Sequence, residues 1–203
     1  MALQHLHGAR IGYIPPLTLF LNAVALFFVF SAATQFQVTT LAEQSGPWMT
    51  PLIEERVAAT GLTREALLER ADRRFQGVYT LCLAVISGIG YMLVYRLLFR
   101  RSLPGWKGAF TLSLYYLAFL FTVSLPLMLL LPLLRPTFGD GAKLIVLVLV
   151  LVLEAVWNTA AARRIGAHRW PKAVTKGLAV VVAGLFIDSF MSVVAMWLAF
   201  RLA

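Results

Sequence analysis

Residues 143–162, KLIVLVLVLVLEAVWNTAAA, form an almost unbroken aliphatic string with a single acid near its centre. The string has the roughly 20 residues that an α-helix needs to cross the hydrocarbon core of a bilayer. Strands and buried helices of soluble proteins carry shorter continuous apolar runs. The string therefore predicts a transmembrane helix.

Four more apolar runs of similar length lie at residues 13–33, 77–98, 109–134 and 177–200. Overall, 60% of the residues are hydrophobic, well above the usage of soluble domains. A chain of 203 residues leaves no room for a separate catalytic domain beside five spans. We expect an all-α, polytopic bundle of five transmembrane helices that forms one membrane domain over residues 1–203.

Nine of the basic residues that follow the first run collect in two short turns that contain no acid. Cytoplasmic loops carry such an excess of Lys and Arg. This rule predicts a cytoplasmic N-terminus and an extracytoplasmic C-terminus. The net charge of +9 then reflects orientation, and we expect no nucleic-acid partner. The bases of the two turns are Arg96, Arg100, Arg101 and Lys107, then Arg163, Arg164, Arg169, Lys172 and Lys176.

The segment 35–75, with five arginines and six acids, is predicted to be an extracytoplasmic helical hairpin between the first two spans. Thr50 is expected to cap a first helix that ends at Gly61. Thr63 is expected to cap a second helix, which continues into the second apolar run. The hairpin would lie on the membrane surface, or it would offer a docking surface to a partner or ligand. Its apolar stripe consists of Leu67, Ala71 and Phe75.

Small residues and prolines mark two of the runs. Ser87, Gly88 and Gly90 in the second run predict a close approach of another helix. Pro126 and Pro132 in the third run predict that its outer half kinks or ends early.

Two carboxylates, Glu154 and Asp188, occur deep in the predicted spans. Glu154 lies 11 residues from Lys143 and Asp188 lies 12 residues from Lys176. At 1.5 Å per residue these separations are about 16 and 18 Å, so both acids fall near the midplane. Asn158 and Ser192 each follow an acid by one turn, and Asn22 in the first run has a compatible depth.

This predicted intramembrane polar cluster permits two interpretations. Two adjacent carboxyls do not both ionise readily, so the pair could relay a proton or bind a cation. Alternatively, the polar groups hydrogen-bond to one another and hold the helices together. In either case they are expected to face the interior of the bundle, because burying them in lipid costs several kcal/mol.

The two basic turns also contain interfacial tryptophans. Bases beside Trp at a helix end either anchor the orientation of the protein or hold an anionic lipid head group. Both interpretations involve Arg100, Arg101, Trp106, Lys107, Arg163, Arg164, Arg169, Trp170 and Lys172.

The sequence has no motif of hydrolytic catalysis or phosphate binding, such as G-x-S-x-G, H-E-x-x-H or a Walker loop. It holds a single cysteine and an isolated pair, His5 and His7, which does not make a metal site. We therefore expect no catalytic residue, no metal, no cofactor and no enzymatic activity.

The stretches YIPPLTLFLN (13–22), LLFRR (97–101) and FTLSLYYLAF (110–119) resemble a family of bacterial inner-membrane proteins, domain of unknown function 3667. The similarity covers about residues 10–125. It implies a polytopic inner-membrane protein and no particular activity. Members of that family often begin with a cysteine cluster similar to a zinc ribbon, and this chain lacks one, so no metal site is carried over.

Taken together, these features predict a non-enzymatic membrane protein that acts through helix association. Its partners would be membrane lipids and either other membrane subunits or further copies of itself. The alternative is a small transporter coupled to protons or ions, or a lipid-handling protein, that uses the intramembrane carboxylates.

Overall fold

The computed structural model describes residues 15–34, 47–103, 105–139, 141–166 and 169–203, and all regular structure in these ranges is helical. Residues 13–14 of the first predicted span and residues 35–46 of the predicted hairpin lie outside them. A 3-10 turn, Pro47–Met49, precedes α2, and a π-helical turn, Leu83–Ser87, separates α3 from α4. The helices are α1 (Pro16–Thr34), α2 (Thr50–Thr60), α3 (Arg64–Cys82), α4 (Gly88–Leu98), α5 (Gly105–Phe138), α6 (Gly141–Gly166) and α7 (Trp170–Leu202).

Helices that are long and apolar enough to cross a membrane are a clear feature of the chain. Within the described residues there are four of them: Gly77–Leu98, Gly105–Leu127, Gly141–Gly166 and Trp170–Leu202. The apolar stretch of α1, Pro16–Val29, is shorter. By length and composition the chain is therefore a multi-pass membrane protein.

The chain divides into two compact units. The first unit comprises Met1–Gln35 with Gly88–Leu185, and the second comprises Phe36–Ser87 with Phe186–Ala203. The chain passes between the units at three points, two of which fall inside continuous helical stretches, one directly after the π-helical turn and one within α7. The expectation of one membrane domain stays a prediction.

Amphipathic helices build the core of the second unit. The predicted stripe Leu67, Ala71 and Phe75 is almost completely buried, as expected for residues four apart on one helix face. It packs in one apolar cluster with Met49, Ile53 and the lone cysteine, Cys82. The C-terminal part of α7, with the residue that follows it, supplies the rest of this cluster: Met191, Ala195, Met196, Ala199, Phe200 and Ala203.

Two of the predicted helix boundaries are confirmed. Gly61 adopts a left-handed conformation with φ 68°, and its N–H donates to the Val57 carbonyl at 2.9 Å. Such a conformation strains any residue with a Cβ, which is why glycine ends α2. The Thr63 hydroxyl accepts from the Ala66 N–H at 3.3 Å and so caps α3. The helix then continues through the π-helical turn into α4, as the sequence predicts.

The prediction that Thr50 caps α2 is wrong. Met49 occupies the capping position without a side-chain hydrogen bond, and Thr50 is already helical. The 3-10 turn explains the difference, since it delivers the chain to Met49 in a helical conformation. No extended residue is then left for a hydroxyl cap.

The second unit also binds the C-terminal end of α7. Arg56 Nη2 donates to the Arg201 carbonyl at 3.0 Å, and Arg201 Nη1 lies 3.9 Å from Glu55 Oε1. The last carbonyls of a helix lack partners within the helix, and the contact from α2 satisfies one of them. It also brings α2 to the same end of the second unit as the C-terminus.

In the first unit α1 packs against α5 through phenylalanines. The ring of Phe121 lies 6.1 Å from that of Phe20 and 5.2 Å from that of Phe27. Helix α5 continues past Pro126 and Pro132 to Phe138, so these prolines do not end it early. In hydrocarbon the helix is the conformation that satisfies most backbone groups, which favours its continuation beyond a proline.

Helices α6 and α7 approach each other closely at Gly177 of α7. A Cβ there would lie 2.8 Å from the Thr159 backbone nitrogen and 3.0 Å from its Cα. The predicted contact residue Gly88 has more room, with Leu117 Cδ1 at 3.5 Å from the corresponding position. The close packing of α6 against α7 therefore requires a residue without a Cβ at position 177.

We predict that Gly177→Ala destabilises the protein by about 1–3 kcal/mol, because a Cβ would meet the backbone of α6 as well as the Thr159 hydroxyl. The measurement is the temperature at which the detergent-solubilised protein loses its monodisperse elution. Gly77→Ala is the matched control, since nothing lies within 4 Å of a Cβ at Gly77 of α3. An equal effect of both substitutions would contradict this packing.

Candidate functional site

The first unit holds a buried polar cluster formed by Glu154 and Asn158 of α6 with tyrosines of α4 and α5. Tyr95 Oη donates to Asn158 Oδ1 at 2.7 Å. Asn158 Nδ2 in turn donates to the Glu154 backbone carbonyl at 2.9 Å. The Glu154 carboxyl interacts electrostatically with Tyr95 and Tyr116. Such hydrogen bonds between helices replace the water that hydrocarbon excludes.

Aromatic rings enclose this cluster. The ring of Tyr116 contacts those of Tyr91 and Tyr95 edge-on, with centroid distances of 4.7 and 6.0 Å. On the α6 side, the ring centroid of Trp157 lies 5.2 Å from that of Tyr116. A Cβ on Gly184 of α7 would meet Tyr91 Oη at 2.6 Å, so that glycine makes room for the phenol. The polar cluster is therefore enclosed by tightly packed side chains.

The second unit holds a separate polar group around Asp188 of α7. Ser87, the last residue of the π-helical turn, donates its hydroxyl to Asp188 Oδ1 at 3.3 Å. Tyr79 of α3 interacts electrostatically with Asp188 and hydrogen-bonds to the Ser192 side chain. Ser87 is fully buried, whereas Asp188 and Ser192 are half-buried. A π-helical turn beside an acid is noteworthy because such turns frequently occur at functional sites.

Of the predicted intramembrane cluster, Glu154 and Asn158 belong to the first unit, and Asp188 and Ser192 belong to the second. The proximity of Glu154 and Asp188 stays a prediction. Asn22 has an exposed side chain on α1, unlike Glu154 and Asn158.

Two cations, one from α4 and one from α7, bind backbone carbonyls where α4 ends and the first basic turn begins. Arg96 Nη1 donates to the Arg100 carbonyl at 3.2 Å, and its guanidinium lies 5.8 Å from the Trp106 ring. Lys176 Nζ donates to the Leu98 carbonyl at 2.6 Å and lies 4.6 Å from the Phe99 ring. Cations at a helix C-terminus also interact favourably with the helix dipole. Arg100, Arg101 and Lys107 are exposed.

The second basic turn holds a stacked pair. The Arg163 guanidinium lies 3.9 Å from the centroid of the Trp170 ring. Both residues line a cavity of about 390 Å³ together with Ala160 and Arg164. Arg164 also lines a larger cavity of about 440 Å³. Arg169 and Lys172 are exposed, and the neighbouring residues 167 and 168 lie outside the described ranges.

The tyrosines are the site residues that the sequence analysis missed. Tyr91 and Tyr95 are four residues apart and therefore share one face of α4. That spacing, together with the adjacent Tyr115 and Tyr116, was a signal for phenols able to pair with the buried carboxyl and amide of α6. Aromatic residues are so common in apolar runs that the pattern by itself was weak.

No family model matches the chain, and no curated protein or solved structure is detectably similar to it. The resemblance to domain of unknown function 3667 therefore stays a prediction.

We predict that Tyr95→Phe lowers stability by about 1–2 kcal/mol, because Asn158 Oδ1 loses its donor inside the protein. The measurement is a double-mutant cycle with Asn158→Leu, following thermal unfolding in detergent. In the Asn158→Leu background, Tyr95→Phe should lower stability much less, since no side-chain amide is left that needs a hydrogen-bond donor. Equal costs in both backgrounds would show that the hydrogen bond does not couple α4 to α6.

Proposed function

We propose that the chain is a five-span bacterial inner-membrane protein with a cytoplasmic N-terminus, an extracytoplasmic C-terminus and an extracytoplasmic hairpin of α2 and α3. The four long apolar helices and the apolar stretch Pro16–Val29 support this topology. The two basic turns follow the second and the fourth predicted span. This topology places both of them in the cytoplasm, in agreement with the positive-inside rule. The contact between Arg56 and Arg201 is also in agreement, because the topology requires α2 and the C-terminus to share one side.

Tags at the two chain ends test the number of spans. A reporter that is active only in the periplasm should work at the C-terminus and fail at the N-terminus. If α1 does not cross the membrane, the remaining four spans leave both ends outside, and both reporters should be active. That second result would overturn the five-span topology while leaving the four long spans intact.

We further propose that the protein is not an enzyme and acts through helix association, as an accessory subunit of a membrane complex or as a homo-oligomer. The supporting observation is Asp188, a half-buried acid in a membrane-spanning helix. A charged side chain in the middle of a transmembrane helix costs roughly 2.5–3.5 kcal/mol. A helix from a second chain would complete the burial of this carboxyl and lower that cost.

Neighbouring residues of α7 agree with this role. Ser189 is exposed next to Asp188. Polar side chains stabilise association between transmembrane helices by about 1–2 kcal/mol in peptides. Phe186 and Phe190, on the other side of α7, are 75% and 62% exposed and would add packing contacts in an association through that side.

Transport coupled to protons or ions is the second candidate, and the π-helical turn favours it. Ser87 ends this turn and binds Asp188, so a protonatable carboxyl lies beside backbone that departs from α-helical hydrogen bonding. Intramembrane acids of this kind mark proton and ion pathways in many transporters. In this case water, and not a second chain, would reach the exposed part of Asp188.

Two substitutions of Asp188 distinguish the candidates. Asp188→Leu should convert an oligomer or complex in mild detergent to a smaller particle, measured by light scattering. Asp188→Asn keeps a hydrogen-bonding side chain and should preserve the association. A wild-type protein that is strictly monomeric, and that co-purifies with no other subunit, would refute the association.

For the transport candidate the decisive variant is Asp188→Asn, because it removes ionisation and retains shape. Proteoliposomes loaded with a pH-sensitive dye should then lose a proton flux that the wild type supports. Glu154→Gln tests the other acid, which is enclosed by the tyrosines. If Glu154→Gln lowers stability and wild-type vesicles carry no flux, both acids are structural.

A further inference from the structure

A long cleft lies among α1, α5 and α6 of the first unit. Its volume is about 440 Å³, and most of its lining is apolar. On α5 the lining residues recur three and four positions apart from Leu112 to Val123, and on α6 they do so from Trp157 to Ile165, so each helix offers one face. The lining comprises Leu19, Leu112, Tyr115, Ala118, Phe119, Thr122, Val123, Trp157, Ala160, Ala161, Arg164 and Ile165.

The dimensions of the cleft match one leaflet of a bilayer. From Leu112 to Val123 the α5 wall extends over 11 residues, or about 16 Å at 1.5 Å per residue. Half of a hydrocarbon core measures about 15 Å. An extended acyl chain within one leaflet has the length and the apolar character that this wall requires.

The charge in the cleft is confined to one end of its α6 wall. Arg164 is the charged residue of the lining, and it lies close to the C-terminus of α6. It also lines the smaller cavity with Arg163 and Trp170, and Ala160 is common to both cavities. Arg163 is held by its stacking on Trp170. An apolar cleft thus continues into a pocket with two guanidinium groups.

We propose that the cleft binds a phospholipid of the surrounding membrane that carries a net negative head group, with one acyl chain along α5 and the phosphate at Arg164 and Arg163. Arginine suits phosphate because its planar guanidinium donates two parallel hydrogen bonds. The arginine pair favours an anionic head group over a zwitterionic one, since the latter brings its own cation. The site is independent of Asp188 and of any association through α7.

The test compares two lipids with identical oleoyl chains, phosphatidylglycerol and phosphatidylcholine, added to delipidated full-length protein and counted by native mass spectrometry. Wild-type protein should retain phosphatidylglycerol about fivefold more strongly, the effect of one base at a membrane surface. Arg164→Gln should abolish that preference. Arg101→Gln removes a base from the other turn, outside the lining of both cavities, and should leave the preference unchanged.

A second variant tests the acyl-chain part of the site. Ala161→Leu fills the cleft from its α6 wall and should reduce retention of both lipids, with the arginines intact. Equal retention of both lipids by the wild type would overturn the proposal, as would equal losses in Arg164→Gln and Arg101→Gln. Oleate is included as a competitor. If oleate displaces phosphatidylglycerol at equal concentration, the site recognises fatty acids and the phospholipid proposal fails.

Discussion

A hydrocarbon interior offers no hydrogen-bond partner to a backbone amide or to a polar side chain, and this constraint explains most of the structure. It accounts for the helical form of the long apolar elements and for the continuation of α5 past its prolines. It also governs the helix ends, where Lys176 binds the Leu98 carbonyl and Arg56 binds the Arg201 carbonyl. Each of these cations supplies a donor that the helix itself lacks.

The same constraint gives the two intramembrane acids different environments. Glu154 is buried among tyrosines and lies one turn from an asparagine whose oxygen is satisfied by Tyr95. Asp188 has a serine donor but remains half-buried. An enclosed acid contributes to specific helix packing, whereas a partly exposed one is also accessible to a second helix or to water. Our functional proposals concern Asp188 for this reason.

Local signals in the sequence predicted a large part of the fold. The long apolar runs became helices, Gly61 and Thr63 proved to be the expected boundaries, and the stripe of Leu67, Ala71 and Phe75 is buried. These features depend on spacing and on backbone preference within one segment. The capping of α2 was not predictable in this way, because the 3-10 turn that delivers the chain to Met49 replaces the expected Thr50 cap.

The candidate site was predictable only in part, since it depends on which helices touch. Depth counted along the chain identified Glu154, Asn158 and Asp188, but it did not reveal their neighbours. The phenol of Tyr95 and the close approach at Gly177 depend on contacts between helices far apart in sequence. The cleft arises in the same way, because α1, α5 and α6 each contribute a face on which Arg164 is the one charged residue.

The burial of Cys82 has a practical consequence. It is the single cysteine of the chain, and its side chain lies inside the apolar core of the second unit. A water-borne thiol reagent reacts with an exposed thiolate and reaches a buried one only when the structure opens. A cysteine introduced at an exposed position would therefore accept a spin label or fluorophore almost alone, without replacement of the native residue. The slow labelling of Cys82 itself would then report the rate at which that core opens spontaneously.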